Sequence, residues 1–308
     1  MDRTGPGSID EVQQLLAGQN YVCGRALATV TFLSLRPGKP LFLEGEPGTG
    51  KTEIAWALAA ALGRRLIRLQ CHEGLDAASA FCDWNFAAQM IAIRTAEAMG
   101  FEGAGADRTA LKDELFPDEY LIERPLLQAM RPQVEGPPVL LIDELDRTDE
   151  PFEAFLPEAL SDFQVTIPEL GTIKAPHPPI VVITSNRTRE VHDALKRGCL
   201  YHRVDYPDSR RELDILHARA PKAAETLSRE IVAFVQKLRS EDLFKKPGVA
   251  ETIDWAKCLL ALDVIDLSPQ VIADTIGALL KYQDDIRKIV GSKAKRLLDE
   301  VRAELAPA

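Results

Sequence analysis

The sequence of 308 residues lacks the features that mark membrane, secreted and disulfide-stabilised proteins. It has no apolar run near the roughly 20 residues that a membrane-spanning helix needs. Its first residues, MDRTGPGSIDEVQQLL, have no apolar segment after a basic start, as a secretory signal would. The five cysteines are odd in number and show no CxxC spacing, which favours reduced thiols over a disulfide framework. These absences predict a cytoplasmic protein without a membrane span.

The chain also lacks an excess of positive charge. Its formal net charge is −10, whereas binding to duplex DNA or RNA depends on neutralising many phosphates with lysine and arginine. The charge therefore argues against a nucleic-acid partner and favours a protein partner.

Short apolar runs alternate with helical segments as far as Pro207, which predicts an α/β fold with a parallel sheet covered by helices on both faces. Strand signals then stop, and amphipathic helical periodicity continues, with long helices expected over 269–281 and 285–304. We therefore expect an α/β domain over 1–206 and a small all-helical domain over 207–308. Residues from about 73 to 131 have the pattern of a helical insertion, and residues 163–173 that of a β-hairpin.

The strongest motif lies between a short apolar strand, Leu41 to Leu43, and an alanine-rich helix. It matches GxxxxGK[ST], the phosphate-binding P-loop, in which backbone N–H groups and a helix N-terminus surround an anion. Lysine in this motif reaches the β- and γ-phosphates, and the hydroxyl of the last residue ligates Mg²⁺. The predicted ATP-binding residues are Gly45, Glu46, Pro47, Gly48, Thr49, Gly50, Lys51 and Thr52.

Two further apolar strands end in polar residues. Val139 to Ile142 is followed by Asp143 and Glu144, at the carboxyl end of a strand, where open α/β sheets bind ligands. We expect Asp143, with Thr52, to hold Mg²⁺ and Glu144 to polarise the water that attacks the γ-phosphate. Ile180 to Thr184 leads to Asn186, whose amide is suited to contacting the γ-phosphate or that water.

A basic residue often completes a phosphoryl-transfer site from a neighbouring subunit, as an arginine finger. Arg197, between the third and last predicted core strands, is the first candidate for this role. Other basic residues nearby leave the assignment open: Arg147, Arg187, Arg189, Lys196 and Arg203.

Taken in this order, the Walker A and Walker B motifs, a sensor asparagine, a following arginine and a helical lid resemble the AAA+ ATPases. The spacing of about 90 residues between Lys51 and Asp143 leaves room for an insertion like that of the helix-2-insert clade. Within that clade the chain is similar to the MoxR family. The strings SDFQVTIPELGTIKA, SNRTREVHDALKRGCLYHRVDYP and LLKYQDDI are most similar to its CoxD branch, which accompanies carbon monoxide dehydrogenase and related molybdenum hydroxylases.

The resemblance implies an ATPase that remodels a client protein, here an apo-metalloenzyme that receives its cofactor. It also implies self-association into a ring, as a hexamer, and a partner with a von Willebrand factor A domain. An activase of another enzyme, such as a carboxylase, and a nucleic-acid-acting ATPase remain alternatives.

The chain departs from the MoxR pattern at two points. The sensor-2 arginine that usually follows a Ser-Pro pair is replaced by Gln270, so that its role is vacant or moves to Lys281. Pro157 also falls inside a predicted helix, which we expect it to kink or end early.

Overall fold

The computed structural model describes residues 5–36, 38–98, 120–167 and 171–306. They divide into two compact units. The first contains Val30–Leu43 and Leu58–His202, and the second contains Pro6–Thr29, Glu44–Ala57 and the chain from Arg203 onward. The units are thus built from interleaved stretches of sequence, whereas the predicted division at residue 206 follows chain order and stays a prediction.

The central sheet has five strands in the order β2-β5-β8-β1-β9. Their bounds are β1 Leu41–Gly45, β2 Leu66–Gln70, β5 Val139–Asp143, β8 Ile180–Ser185 and β9 Leu200–Val204.

Strand β5 pairs in parallel with both of its neighbours, β2 and β8. Leu66 lies opposite Val139 and Gln70 opposite Asp143, so β2 and β5 end side by side. All five residues of β5 are buried, as is typical of a parallel strand covered on both faces. The predicted α/β class with a parallel sheet is confirmed.

The helices of the first part of the chain alternate with these strands along the sequence. They are α1 Ile9–Ala17, α2 Arg25–Leu35, α3 Glu53–Ala61, α4 Ala77–Phe81, α5 Phe86–Ala98, α6 Pro125–Met130, α7 Glu150–Asp162 and α8 Asp193–Gly198. Helix α7 continues through Pro157 for five more residues, so the predicted early end at this proline is wrong.

The predicted insertion over 73–131 is not helical throughout. Strands β3 Cys82–Trp84 and β4 Leu121–Glu123 pair in antiparallel register within it. Each strand has three residues, too few to show an alternating pattern, and each is defined by a partner almost forty residues away. Residues 99–119 of the insertion lie outside the described residues. The predicted hairpin is confirmed as β6 Gln164–Ile167 paired with β7 Gly171–Lys174.

From Arg203 onward the second unit is helical after the end of β9. Its helices are α9 Ser209–Arg219, α10 Glu225–Ser240, α11 Val249–Ala261, α12 Pro269–Thr275, α13 Gln283–Ile289 and α14 Ser292–Leu305. The two long helices predicted at the C-terminal end are wrong in extent. Gly291 has a φ of +95°, a left-handed conformation that separates α13 from α14. A 3₁₀ turn, Ile276–Ala278, follows α12.

Each unit has its own apolar core. In the first unit Phe42, Ile142 and Phe152 belong to one buried cluster. In the second, Phe234 and Trp255 lie at the centre of another, with ring centroids 5.7 Å apart. No helix among the described residues has the length and apolarity to cross a membrane.

Candidate functional site

The P-loop joins β1 to α3 and belongs to the second unit. Gly48 and Gly50 have φ angles of +76° and +86°, in the left-handed region that side-chain-bearing residues rarely adopt. Gly45 is required for a different reason, because a Cβ there would lie 2.1 Å from the carbonyl oxygen of Val204. The glycines of the motif therefore serve both the loop's backbone conformation and its close approach to β9.

Lys51 lies under this loop with only 5% of its surface exposed. Its Nζ donates hydrogen bonds to the carbonyl oxygens of Gly45, at 2.8 Å, and Glu46, at 2.6 Å. A buried ammonium beside a glycine-rich turn that leads into a helix N-terminus suits a polyphosphate. The hydroxyl of Thr52, the next residue, is of the type that ligates Mg²⁺ in such loops. These residues fit ATP with Mg²⁺.

Asp143 lies at the end of β5, in the first unit, with 2% of its surface exposed. Its Oδ1 accepts a hydrogen bond from Thr184 Oγ1 at 2.6 Å. Its Oδ2 accepts from Arg68 Nη2 at 2.6 Å and from Arg68 Nε at 3.0 Å. Carboxylate oxygen is a ligand type that Mg²⁺ prefers. The contacts with Arg68 and Thr184 were not predicted from the sequence, because they join neighbouring strands.

Glu144 follows Asp143 in a left-handed conformation with a φ of +57°, unusual for a residue other than glycine and often found at functional sites. Its N–H donates to Thr184 Oγ1 at 2.9 Å, so one hydroxyl contacts both acids. Its Oε1 accepts from Asn186 Nδ2 at 3.3 Å. Its Oε2 accepts from Gln70 Nε2 and Arg147 Nη1, each at 3.0 Å. Glu144 and Asn186, predicted from separate strands, are thus in direct contact.

Asp146 holds the loop that carries Asn186. It is 2% exposed and accepts from the N–H groups of Asn186, at 3.0 Å, and Thr188, at 2.9 Å, and from Thr188 Oγ1 at 2.6 Å. Burial pushes the pKa of Asp146 upward, but the hydrogen bonds from Thr188 and Asn186 outweigh it, so the pKa lies below its ordinary value. The sequence indicated this anchoring of the Asn186 loop only through the presence of an acid two residues after Glu144.

Cys71 follows β2 beside these acids. Its N–H donates to the carbonyl oxygen of Asp143 at 2.9 Å. Burial, assisted by the nearby carboxylates of Asp143, Asp146, Glu144 and Glu153, raises the pKa of its thiol to about 12. The thiol is therefore protonated at neutral pH. Among the described residues, no group of three or more histidine, cysteine and acidic side chains is placed to hold a metal.

The structure separates the candidates for the arginine finger. Arg189 forms an ion pair with the buried Glu153 and donates to the carbonyl oxygen of Thr148. Arg203 pairs with Asp205 at 2.7 Å, and Arg147 pairs with Glu144 as described above. Arg197, on α8, has an exposed side chain. Arg187 is exposed as well, so Arg197 stays a prediction for the arginine finger.

Both sensor-2 candidates contact groups of their own segment. Gln270 Nε2 donates to Asp274 Oδ1 at 2.9 Å. Lys281 Nζ donates to the carbonyl oxygens of Gly277 and Ala278, both at 2.9 Å. The N-terminus of α11, also in the second unit, contacts the P-loop instead, through a hydrogen bond from the N–H of Val249 to the carbonyl oxygen of Gly48.

Comparison with known proteins places the chain in a family. The family model described as an AAA domain of the dynein-related subfamily matches residues 40–198, more than half of the chain. An uncharacterized protein of Staphylococcus haemolyticus is 25% identical over 239 residues, covering 75% of this chain and 80% of that protein. One from Staphylococcus saprophyticus subsp. saprophyticus is 23% identical over 237 residues, covering 75% and 78%.

Among solved structures, the Holliday junction branch migration motor RuvB of Thermotoga maritima matches with a TM-score of 0.46 and 16% identity, covering 97% of this chain and 84% of that one. The predicted AAA+ fold is confirmed by the family match and by the parallel sheet with its helical C-terminal region. An AAA domain implies ATP binding, typically with Mg²⁺, and ATPase activity. The chain belongs to the AAA domain family, in its dynein-related subfamily.

Proposed function

We propose that the chain is an ATP-hydrolysing chaperone of the MoxR type that remodels a client protein. The observation that supports hydrolysis best is the contact between Glu144 and Asn186 beside the buried Asp143. A scaffold that only bound nucleotide would not need a carboxylate held by an amide at the carboxyl ends of two adjacent strands.

Each residue has a role in this proposal. The N–H groups of the P-loop and the ammonium of Lys51 bind the phosphates, and Thr52 and Asp143 hold the metal. Mg²⁺, when bound, offsets negative charge on the β- and γ-phosphates. Glu144 orients the attacking water and accepts its proton. Asn186 keeps the carboxylate of Glu144 in place through its amide.

The client and the assembly are further parts of the proposal. The three strings shared with the CoxD branch favour an apo-enzyme similar to carbon monoxide dehydrogenase, whose buried molybdenum site must open to receive its cofactor. The net charge of −10 supports a protein client over a nucleic acid. We further propose a hexameric ring in which Arg197 reaches the site of the neighbouring subunit, and a partner with a von Willebrand factor A domain.

Replacing Glu144 with glutamine tests the hydrolytic part. The Glu144→Gln variant keeps the side-chain shape but cannot accept the proton, so we expect ATP turnover to fall by about 10²- to 10⁴-fold while ATP binding persists. Glu158→Gln, which alters an exposed glutamate on α7, is the matched control and should keep wild-type turnover. Wild-type turnover in Glu144→Gln would contradict the assignment of the base.

The same variant tests the client. Purified Glu144→Gln protein with ATP should retain the apo form of a molybdenum hydroxylase and release it when ATP is removed. Retention of a carboxylase or of nucleic acid in place of the hydroxylase would refute this choice of client and leave the ATPase assignment standing.

A further inference from the structure

We infer that Gly248 and Glu251, at the start of α11, are positioning residues that couple nucleotide binding at the P-loop to the helices of the second unit. The inference rests on the proposed nucleotide site. It assigns the coupling to a backbone contact, whereas the sequence indicates that the sensor-2 role is vacant at Gln270 or moves to the basic side chain of Lys281.

The contact joins the first turn of α11 to Gly48. The N–H groups of Val249 and Ala250 donate to the carbonyl oxygen of Gly48 at 2.9 and 3.2 Å. The N–H groups of a helix's first turn have no partner within the helix. Here two of them bind the P-loop, so a movement of Gly48 acts directly on the axis of a 13-residue helix.

The two backbones are close enough to exclude any side chain between them. A Cβ on Gly248 would lie 2.8 Å from the Cα of Gly48 and 2.9 Å from its carbonyl oxygen. Both are backbone atoms, so the contact has no flexible side chain that could move aside. Only glycine at position 248 permits this approach.

Glu251 holds the junction from the side of the helix. Its Oε2 accepts from the N–H of Gly248 at 3.0 Å, and the same oxygen would lie 2.8 Å from a Cβ built on Gly48. A carboxylate in the first turn of a helix is also favoured by the helix dipole. Glu251 thus positions Gly248 against the P-loop.

A buried network anchors this junction. Thr252 Oγ1 lies 2.8 Å from Glu212 Oε1 and 3.1 Å from the carbonyl oxygen of Gly248, and these two acceptors share its single proton. Arg239 forms a bidentate ion pair with Glu212, at 2.6 and 2.7 Å, and its Nε donates to the carbonyl oxygen of Pro247 at 2.8 Å. The segment that meets Gly48 is therefore held on α9, α10 and α11 together. A shift of the P-loop on binding phosphate is passed to all three helices.

Two measurements on the 308-residue chain test this coupling. The first is the dissociation constant for ATP with Mg²⁺, and the second is hydrogen exchange of the backbone amides of residues 246–255 with and without ATP. In the wild type we expect ATP to change exchange in this segment. Gly248→Ala should weaken ATP binding by at least about tenfold, which corresponds to about 1.4 kcal/mol, and should abolish the ATP-dependent change.

Further variants separate coupling from general destabilisation. Gly277→Ala, at a glycine whose Cβ would meet nothing within 4 Å, should behave as the wild type in both measurements. If Gly248→Ala does not fold, Glu251→Ala takes its place and should partly weaken ATP binding and partly reduce the ATP-dependent change in exchange. Glu251→Gln, which keeps an oxygen for the Gly248 N–H, should restore both to near the wild-type values.

Failure of the wild type to bind ATP would refute the proposed function itself. Wild-type binding of ATP without any change in exchange at residues 246–255 would overturn the coupling alone, as would tight binding with an unaltered ATP response in Gly248→Ala.

Discussion

Replacing Arg239 with methionine should destabilise the second unit more than the removal of an exposed ion pair from the same helix. Arg239 is 6% exposed and Glu212 is fully buried. The guanidinium makes two charge-assisted hydrogen bonds to Glu212, one to the carbonyl oxygen of Pro247, and lies 4.8 Å from the ring centroid of Tyr206. Methionine fills most of the volume but leaves the carboxylate of Glu212 buried without its cation.

The magnitude follows from that uncompensated charge. Breaking a buried ion pair from one side costs about 3–5 kcal/mol. Two neutral donors stay with Glu212, Gln236 Nε2 at 2.7 Å and Thr252 Oγ1 at 2.8 Å, so we expect the lower end, about 3 kcal/mol. The double variant Glu212→Met/Arg239→Met removes both charges and should recover much of the loss, because an apolar pair of similar volume is often as stable as a buried ion pair.

The assay is urea unfolding followed by tryptophan fluorescence and circular dichroism. Trp255 reports on the same core, since its ring lies against Phe234 on α10. Arg229→Met is the matched control, because Arg229 is also on α10 and pairs with the exposed Glu225 at 2.7 Å. Exposed pairs contribute little to stability. An equal loss in Arg229→Met and Arg239→Met would refute the reasoning, as would a double variant less stable than Arg239→Met.

Two more predictions concern the acid cluster of the first unit. Asp146→Asn should lower the free energy of unfolding at pH 7 by about 1–3 kcal/mol, because an amide cannot accept all of the bonds from Asn186 and Thr188. The pKa of Asp146 is lowered in the folded state, so its contribution to the free energy of unfolding is present above its unfolded pKa of about 4 and is lost as the pH falls below that value. Urea unfolding at several pH values should therefore show the stability difference between Asp146→Asn and the wild type shrinking at low pH. A stability difference that does not depend on pH would contradict this account. The thiol of Cys71 is buried and has a pKa of about 12, so it should resist alkylation by iodoacetamide at pH 7.5, whereas the exposed Cys258 should react. Mass spectrometry of the protein labelled in its native state measures the two reactions. Equal labelling of the two cysteines would show that the acid cluster opens to solvent.

Much of the candidate site was predictable because its signals are local. Gly45 to Thr52 is a continuous motif whose glycines follow from the conformation of one loop. Asp143 and Asn186 each come at the end of an apolar run, and parallel strands bring such ends together. The predicted strand over Val139 to Ile142 matches β5 closely, because four consecutive apolar residues mark a buried strand, whereas β3 has three residues without such a run and was not predicted.

The sequence by itself determined the fold class, the family and the P-loop, since each depends on residues adjacent in the chain or repeated with a fixed period. Only the tertiary structure decided which side chains surround the acids. Arg68 meets Asp143 across 75 positions and Gln70 meets Glu144 across 74, and no local pattern encodes pairs that are so far apart. The contact between Gly48 and α11 is of the same kind. It joins the carbonyl oxygen of Gly48 to the N–H groups of Val249 and Ala250, 201 and 202 positions further along the chain. It forms because the fold brings α11 back to the loop and because Gly48 and Gly248 both lack a Cβ.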